Sequence, residues 1–308
     1  MFSARLRAGD LSGVTEMTEV KGRSLWADAR KRFMLNKAAV ASLIILILIS
    51  LFSFLGESIA PWSNEEIDFG VIGSAATKGM PSIASGHYFG TDDLGRDLFA
   101  RTAQGTRISL MVGFVGTFIA VTVGTAYGAV AGYVGGRVDA VMMRIVDILS
   151  AIPYMFILIL LLVMFGRSML MIFVGIGLLS WLGMARIVRG QTLSLKHKEY
   201  IEAARASGVS SWKIILRHIL PNLMGVVAVY TTLLIPDMIM AESFISFLGL
   251  GVQEPLTSLG ALIAEGAKTI VWDSHWQLYY PLGFFVVTLY AFYFVGDGLR
   301  DALDPKDR

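Results

Sequence analysis

The chain has 308 residues, 55% of them hydrophobic and only 16% charged, with a formal net charge of +2. Soluble domains carry about 25% charged residues, so this composition excludes an ordinary water-soluble domain and calls for a polytopic membrane protein. There is no cysteine, and the four histidines, His87, His197, His218 and His275, do not pair with one another or with a carboxylate at metal-ligand spacing, so neither a disulfide framework nor a metal site is expected. A GxxxxGK[ST] phosphate loop is also missing. Nucleotide-driven work would therefore need another chain to bind the nucleotide, and no cofactor is expected on this one.

Residues 1–37 are polar and basic. Within them RSLWADARKRFMLNK places Leu25, Trp26, Ala29 and Phe33 on one helical face, which predicts an amphipathic helix lying beside a membrane. Residues 38–55 carry no charge and are long enough to cross the hydrocarbon core as a first span. The polar lead is too long, and the apolar run too extended, for a cleaved signal peptide.

Residues 56–107 form a long segment with seven acids, expected outside. It reads either as a solvated connector or, near Leu94 to Ala103, as a short helix along the outer surface. The second span, 108–134, is glycine-rich, and Gly124, Gly128 and Gly132 stand four apart, the small-xxx-small pattern of a closely packed helix face. An amphipathic inside segment (135–147) leads to a third span (148–165) with Pro153 near its start, and a tight turn at Gly166 to Ser168 leads to a fourth (169–185).

The longest polar interruption in the second half is 186–222. It carries Lys196, Lys198, Arg205, Lys213 and Arg217 against Glu199 and Glu202, and a short loop this basic belongs inside. Ile201, Ala204 and Arg205 fall at helical spacing among strong helix formers. Gly208 is a helix stop. Ser210 or Ser211 can cap a second helix, in which Trp212, Ile215, Leu216 and Ile219 recur before Pro221 and Asn222 end the pattern. The expectation is helix, glycine turn, helix, proline, held at the membrane face where a soluble partner can grip it.

The fifth span, 223–247, contains Pro236, Asp237 and Glu242. Acids in a span are costly and usually face a bundle interior or a water-filled path, so Asp237 and Glu242 are candidates for a pathway or its outer gate. The alternative is that both sit near the outer interface, where water reaches them. A second outside segment, 248–277, has an apolar centre (259–267) too short to span, expected as a re-entrant or interfacial helix. The sixth span, 278–295, has Trp276, Tyr279 and Tyr280 as an aromatic belt, and a short polar tail, 296–308, closes the chain.

With this layout 20 of the 26 Lys and Arg residues lie in the four segments placed inside. The positive-inside bias then puts both termini in the cytoplasm. The fold class is all-α, six transmembrane helices, with no soluble domain large enough to bury a core.

The basic segment also carries a motif. Glu202-Ala203-Ala204, three residues, Gly208, nine residues, then His218-Ile219-Leu220-Pro221 resembles the "EAA" loop of permease subunits in ATP-binding-cassette importers. The match holds at Glu202, Ala203, Ala204, Gly208, Leu220 and Pro221; it departs at His218, where the family often has Ile. Three further stretches, FGTDDLGRDLFAR (89–101), AESFISFLGLGVQEP (241–255) and GDGLRDALDPK (296–306), are similar to the C-type permease subunit of peptide importers, a family that handles dipeptides or oligopeptides and includes nickel relatives. RSLWADARKRFM and MARIVRGQTLSLKHKEYIEAA are similar to its oligopeptide branch.

The resemblance implies a type I importer permease in a bacterial inner membrane, with a second, homologous permease subunit, two ATPase subunits inside that bind ATP and Mg, an extracytoplasmic substrate-binding protein, and peptide as cargo. In that family the EAA helix inserts into a groove on the ATPase and transmits its motion. Glu202 would meet a basic group, Ala203 and Ala204 would permit close approach, and Gly208 would set the angle to the next helix. The permease itself would be non-catalytic.

Three rival readings are weaker. An ion-coupled secondary peptide transporter usually shows internal repeats and midplane acids, and no clear repeat is present. A membrane-embedded enzyme would need a constellation such as HExxH. A nucleic-acid reader tied to the membrane at both ends would have difficulty entering a groove.

Overall fold

A computed structural model describes residues 25–72 and 78–303. They form ten helices: α1 (Leu25–Leu35), α2 (Lys37–Ile59), α3 (Leu98–Val134), α4 (Gly136–Ala151), α5 (Tyr154–Phe165), α6 (Met169–Leu195), α7 (Glu199–Ala206), α8 (Ser211–Phe247), α9 (Leu259–Thr269) and α10 (Trp276–Leu303). The only β-type pairings among the described residues are isolated bridges, Ile67 with Arg96 and Thr91 with Asp97. Helices α2, α3, α6, α8 and α10 are each long and apolar enough to span a membrane; α4 and α5, bent by 78° at their junction, make a sixth crossing if taken as one. The chain is an all-α polytopic membrane protein.

Close packing of α3 on α6 follows from the glycine stripe. A Cβ on Gly124 would lie 2.7 Å from the Trp181 carbonyl, and one on Gly132 would lie 2.7 Å from Thr192 Cβ; at Gly128 it would overlap the Ala185 carbonyl. Lipid tails are as apolar as leucine, so such backbone-to-backbone contact, rather than hydrophobic exclusion, holds spans together. The C-terminal end of α10 is placed in the same way: Gly296 admits Leu233 and Thr232 of α8, and Gly298 admits Ala39 of α2.

Several boundaries differ from those expected, each for an identifiable reason. The second span was expected from 108, yet the helix that carries it, α3, begins at Leu98; of the stretch Leu94 to Ala103, read either as connector or as a short surface helix, Leu98 to Ala103 form its first turns and Leu94 to Asp97 are non-helical. Charges at Arg101 and Arg107 set the expected limit. They are neutralised within the fold, Arg101 by Asp92 and Glu265, Arg107 by Glu57 at 3.0 and 3.1 Å, so the helix continues through them. Likewise the helix that carries the fourth span does not stop at 185. Helix α6 runs to Leu195 because Arg189 forms a two-pronged pair with Asp139 of α4 (2.5 and 2.6 Å) and Arg186 pairs with Asp147 at 3.1 Å.

The third span is not one straight segment over 148–165. Pro153 bars the helical conformation at the residue before it; Ile152 is extended (φ −87°, ψ 128°), and the chain breaks between α4 and α5. Helix α5, with 12 residues, is about 18 Å long and falls short of a ~30 Å hydrocarbon core.

The expected aromatic belt also divides. Trp276 is buried and donates its indole N–H to the Thr91 carbonyl at 3.1 Å, and Tyr280 stacks on Phe89 at 4.1 Å; Tyr279 alone of the three is exposed. Helix α9, the short apolar element, is held by Leu259 and Leu262, both essentially fully buried. The tail expected over 296–308 is helical through Leu303, and the rest, like residues 1–24, lies outside the described residues. In α1, Ala29 faces inward while Trp26 is exposed.

Candidate functional site

The motif-bearing segment folds into a hairpin of α7 and the start of α8. Helix α7 carries Glu199 and Glu202 in its first turn and Arg205 in its last, the order favoured by the helix dipole. Gly208, at φ +77°, ends it. The Gly208 N–H donates to Arg205 O (3.0 Å) and the Val209 N–H to Ala204 O (3.1 Å), the paired bonds of a Schellman cap, and Val209 and Ala204 pack on the same apolar cluster. A side chain at 208 would meet nothing within 4 Å. Glycine is required there for its conformation, not for space.

One face of the hairpin is anchored. Ile201, Ile214 and Ile219 are fully buried against Ala129 and Tyr133 of α3 and Met184 and Val188 of α6, and the Arg205 guanidinium lies 5.6 Å from the centre of the Tyr133 ring. The other face is open. Glu202 and Ala203 are exposed, and the Glu202 carboxylate has no hydrogen bond or ion pair among the described residues. Ala204 is half-buried on the anchored side. Tyr200, Trp212 and Leu216 add exposed apolar surface close by.

The expected break at Pro221 does not occur. α8 passes through it by way of a π-turn over Ile215–Ile219, in which the Leu220 N–H reaches back to Ile215 O. Proline lacks the N–H that a regular turn needs and crowds the preceding carbonyls; the wider turn absorbs this, and Asn222 Nδ2 donates to His218 O at 2.6 Å. Leu220 is half-buried, and Pro221 is exposed at a cavity of about 510 Å3 bordered by Trp26, Gln191, Tyr230 and Arg300.

The two acids of the fifth span separate. Glu242 is completely buried, which removes the outer-interface alternative for it. Its carboxylate accepts from Ser109 Oγ of α3 (3.0 Å), Ser246 Oγ (2.6 Å) and Ser243 Oγ (3.3 Å), while Ser109 Oγ accepts the Leu259 N–H at 3.3 Å. It thus ties α3, α8 and the start of α9 together. Asp237 is exposed beside a cavity of about 700 Å3 between α5, α8, α9 and α10, and Tyr293 Oη donates to its Oδ1 at 3.1 Å.

At the Glu254 end of the molecule two of the three similarity-bearing stretches, 89–101 and 241–255, meet. Asp92 accepts from both Arg96 (2.7 Å) and Arg101, and Arg96 reaches Glu254 at 2.7 Å across 158 residues of sequence. Arg96 thereby holds the Glu254 carboxyl below the ordinary carboxylate range. His87, stacked on Trp62 at 4.8 Å, bonds Asp97 through Nδ1 at 2.9 Å, and Asp97 in turn caps α3 through the Ala100 N–H. Burial pushes the Asp97 carboxyl up.

Sequence reasoning missed Tyr293 and Ser109, whose partners lie 56 and 133 residues away and leave no local trace. Ser246, four residues after Glu242, was legible as an i, i+4 pair.

A bundle of spans bearing a bent, half-anchored hairpin defines the membrane subunit of a transporter. The chain belongs to the family described as binding-protein-dependent transport system inner membrane component, whose model matches residues 124–308; a second model, the N-terminal TM domain of oligopeptide transport permease C, matches residues 24–74. It is 56% identical over the full length of both chains to the oligopeptide transport system permease protein OppC of Escherichia coli (strain K12). It is 44% identical to the dipeptide transport system permease protein DppC of Bacillus subtilis (strain 168), covering 91% of this chain and 86% of that one. In fold it is similar to a chain of the MetNI methionine ABC transporter solved in inward-facing conformations, with TM-score 0.54 at 18% identity, covering 65% of this chain and 94% of that chain.

Proposed function

We propose that this chain is the permease subunit of an ATP-driven importer of oligopeptides and forms half of the translocation pathway. The cargo reading is supported by similarity to an oligopeptide permease at 56% identity over the full length of both chains. The subunit is non-catalytic and works with a second, homologous permease, two ATP-binding subunits that hold ATP and Mg, and a substrate-binding protein outside the membrane.

Coupling runs through the hairpin, which lies on the cytoplasmic face. Glu202 and Ala203 enter the ATPase subunit, Ala204 and Gly208 keep the bend rigid, and Leu220 and Pro221 join the bend to the long helix that carries Asp237. Asp237 faces the path; Glu242 holds the wall behind it. The observation that carries this reading is the division of the hairpin, with Ile201 and Ile214 locked into the bundle and the Glu202 carboxylate free of any partner among the described residues. A driven switch needs contacts that differ between its two states, and a rigid bend with an unpaired charged face supplies a surface on which they can be made.

Co-purification with the ATPase subunits and peptide uptake, compared for wild type, Glu202→Lys and Gly208→Pro, tests the proposal. Both variants should enter the membrane yet lose assembly or uptake. Uptake at wild-type rates in both would refute the coupling role.

A further inference from the structure

The surroundings of Asp237 have a chemistry that the coupling mechanism does not use. Asp237 stands in a span, exposed between the 700 Å3 cavity, which is almost wholly apolar and lined by Tyr154, Met155, Met240, Phe244 and Phe247, and a second cavity of about 300 Å3 lined by Ser180 and Leu234. Oδ1 accepts from Tyr293 Oη, and among the described residues no cation pairs with the group. An unpaired acid at this position cannot be left facing lipid without a large cost. Its oxygens accept only, aromatic ring faces attract cations, and the volume lies within the range of small-molecule sites. These features together fit a primary ammonium carried on a flexible, partly apolar body.

Resting on the importer reading, we propose that Asp237 forms the subsite for the N-terminal ammonium of the peptide in transit, with Tyr293 as a positioning residue. Peptides of different sequence share one ammonium, one carboxylate and a backbone. The carboxylate is repelled by Asp237, while the ammonium is matched by it whatever side chains follow. Glu242 does not compete, because its oxygens are occupied by Ser109, Ser243 and Ser246. The apolar lining then accepts the first side chain without selecting it.

The experiment is uptake of trialanine and of N-acetyl-trialanine by the complete reconstituted transporter. Rates are compared at equal loading of the binding protein, measured separately for each peptide. Wild type should favour the free amine. Asp237→Asn should lower the ratio of free-amine to acetylated transport about tenfold, the effect of losing a charge-assisted hydrogen bond. Tyr293→Phe should shift the ratio the same way by less, and Asp237→Glu should restore most of it. Equal loss for both peptides overturns the subsite, as does an Asp237→Asn subunit that no longer joins its partner permease, since the carboxylate would then serve a cation on that chain. Wild type carrying both peptides equally also removes the subsite while leaving the importer reading intact; failure of wild type to carry either peptide with ATP removes the importer reading itself.

Discussion

Helix α3 meets two differently built structures at its ends, about 55 Å apart for 37 residues. At its start the charges turn inward: Asp92, Arg96 and Arg101 are mostly buried and satisfy one another, and Asp97 and His87 close the helix end. At its finish the hairpin is anchored by apolar groups, Tyr133 meeting Ile201 and Ile214, while the exposed Glu202 carboxylate has no partner among the described residues. The first arrangement is a clamp whose charges are used up within the chain. The second is a handle, fixed at its base and left open on the face a partner would grip. Polar groups satisfied internally resist motion; polar groups left free are available for recognition.

The comparison is broken most easily at the clamp. Arg101→Ala leaves buried Asp92 with Arg96 as its one cation, beside the Leu94 and Arg96 N–H groups, and should cost about 3 kcal/mol of stability, read as a fall in thermal unfolding temperature of the detergent-solubilised protein. No measurable fall would mean that the network contributes no rigidity. Glu242→Ala, which strips the acceptor from three serine hydroxyls, should cost about 1–3 kcal/mol; Glu242→Gln keeps an acceptor and should cost less.

These partnerships explain how much could be read in advance. The spans, the glycine stripe and the hairpin depend on spacing within one segment, so Gly124, Gly128, Gly132 and Gly208 were legible. The clamp depends on pairing across segments, such as Arg96 with Glu254 and Ser109 with Glu242. Those charges therefore read as solvated, and Arg101 and Arg107 shortened the expected second span. Pro221 was misread for a related reason: proline forbids a regular turn, but not the wider turn that Leu220 makes with Ile215. Asp237 and Glu242 looked alike because both are acids in one helix; only the facing helices distinguish them.

Smaller effects sharpen the contrast. Gly208→Ala forces a side chain into a left-handed conformation and should cost about 1 kcal/mol, with the unfolding temperature lowered slightly, since the space around it is open. Glu202→Lys should leave that temperature unchanged while abolishing uptake. The smallest effect belongs to Glu254. Arg96 depresses its folded-state carboxyl, so its contribution is present above the ordinary carboxylate range and is lost as pH falls through the depressed value. Because Glu254 is exposed, solvent screening should hold this below about 1 kcal/mol, and Glu254→Gln should flatten the acid side of the stability profile by that amount.

The handle itself can be probed directly because the chain has no cysteine. A single Ser207→Cys reports only on the exposed tip of the hairpin. With a membrane-impermeant maleimide, intact cells should show no labelling, inverted vesicles stripped of ATPase subunits should label, and restoring those subunits should protect the cysteine. Labelling in intact cells, or no protection by the ATPase subunits, would contradict a cytoplasmic handle gripped by those subunits.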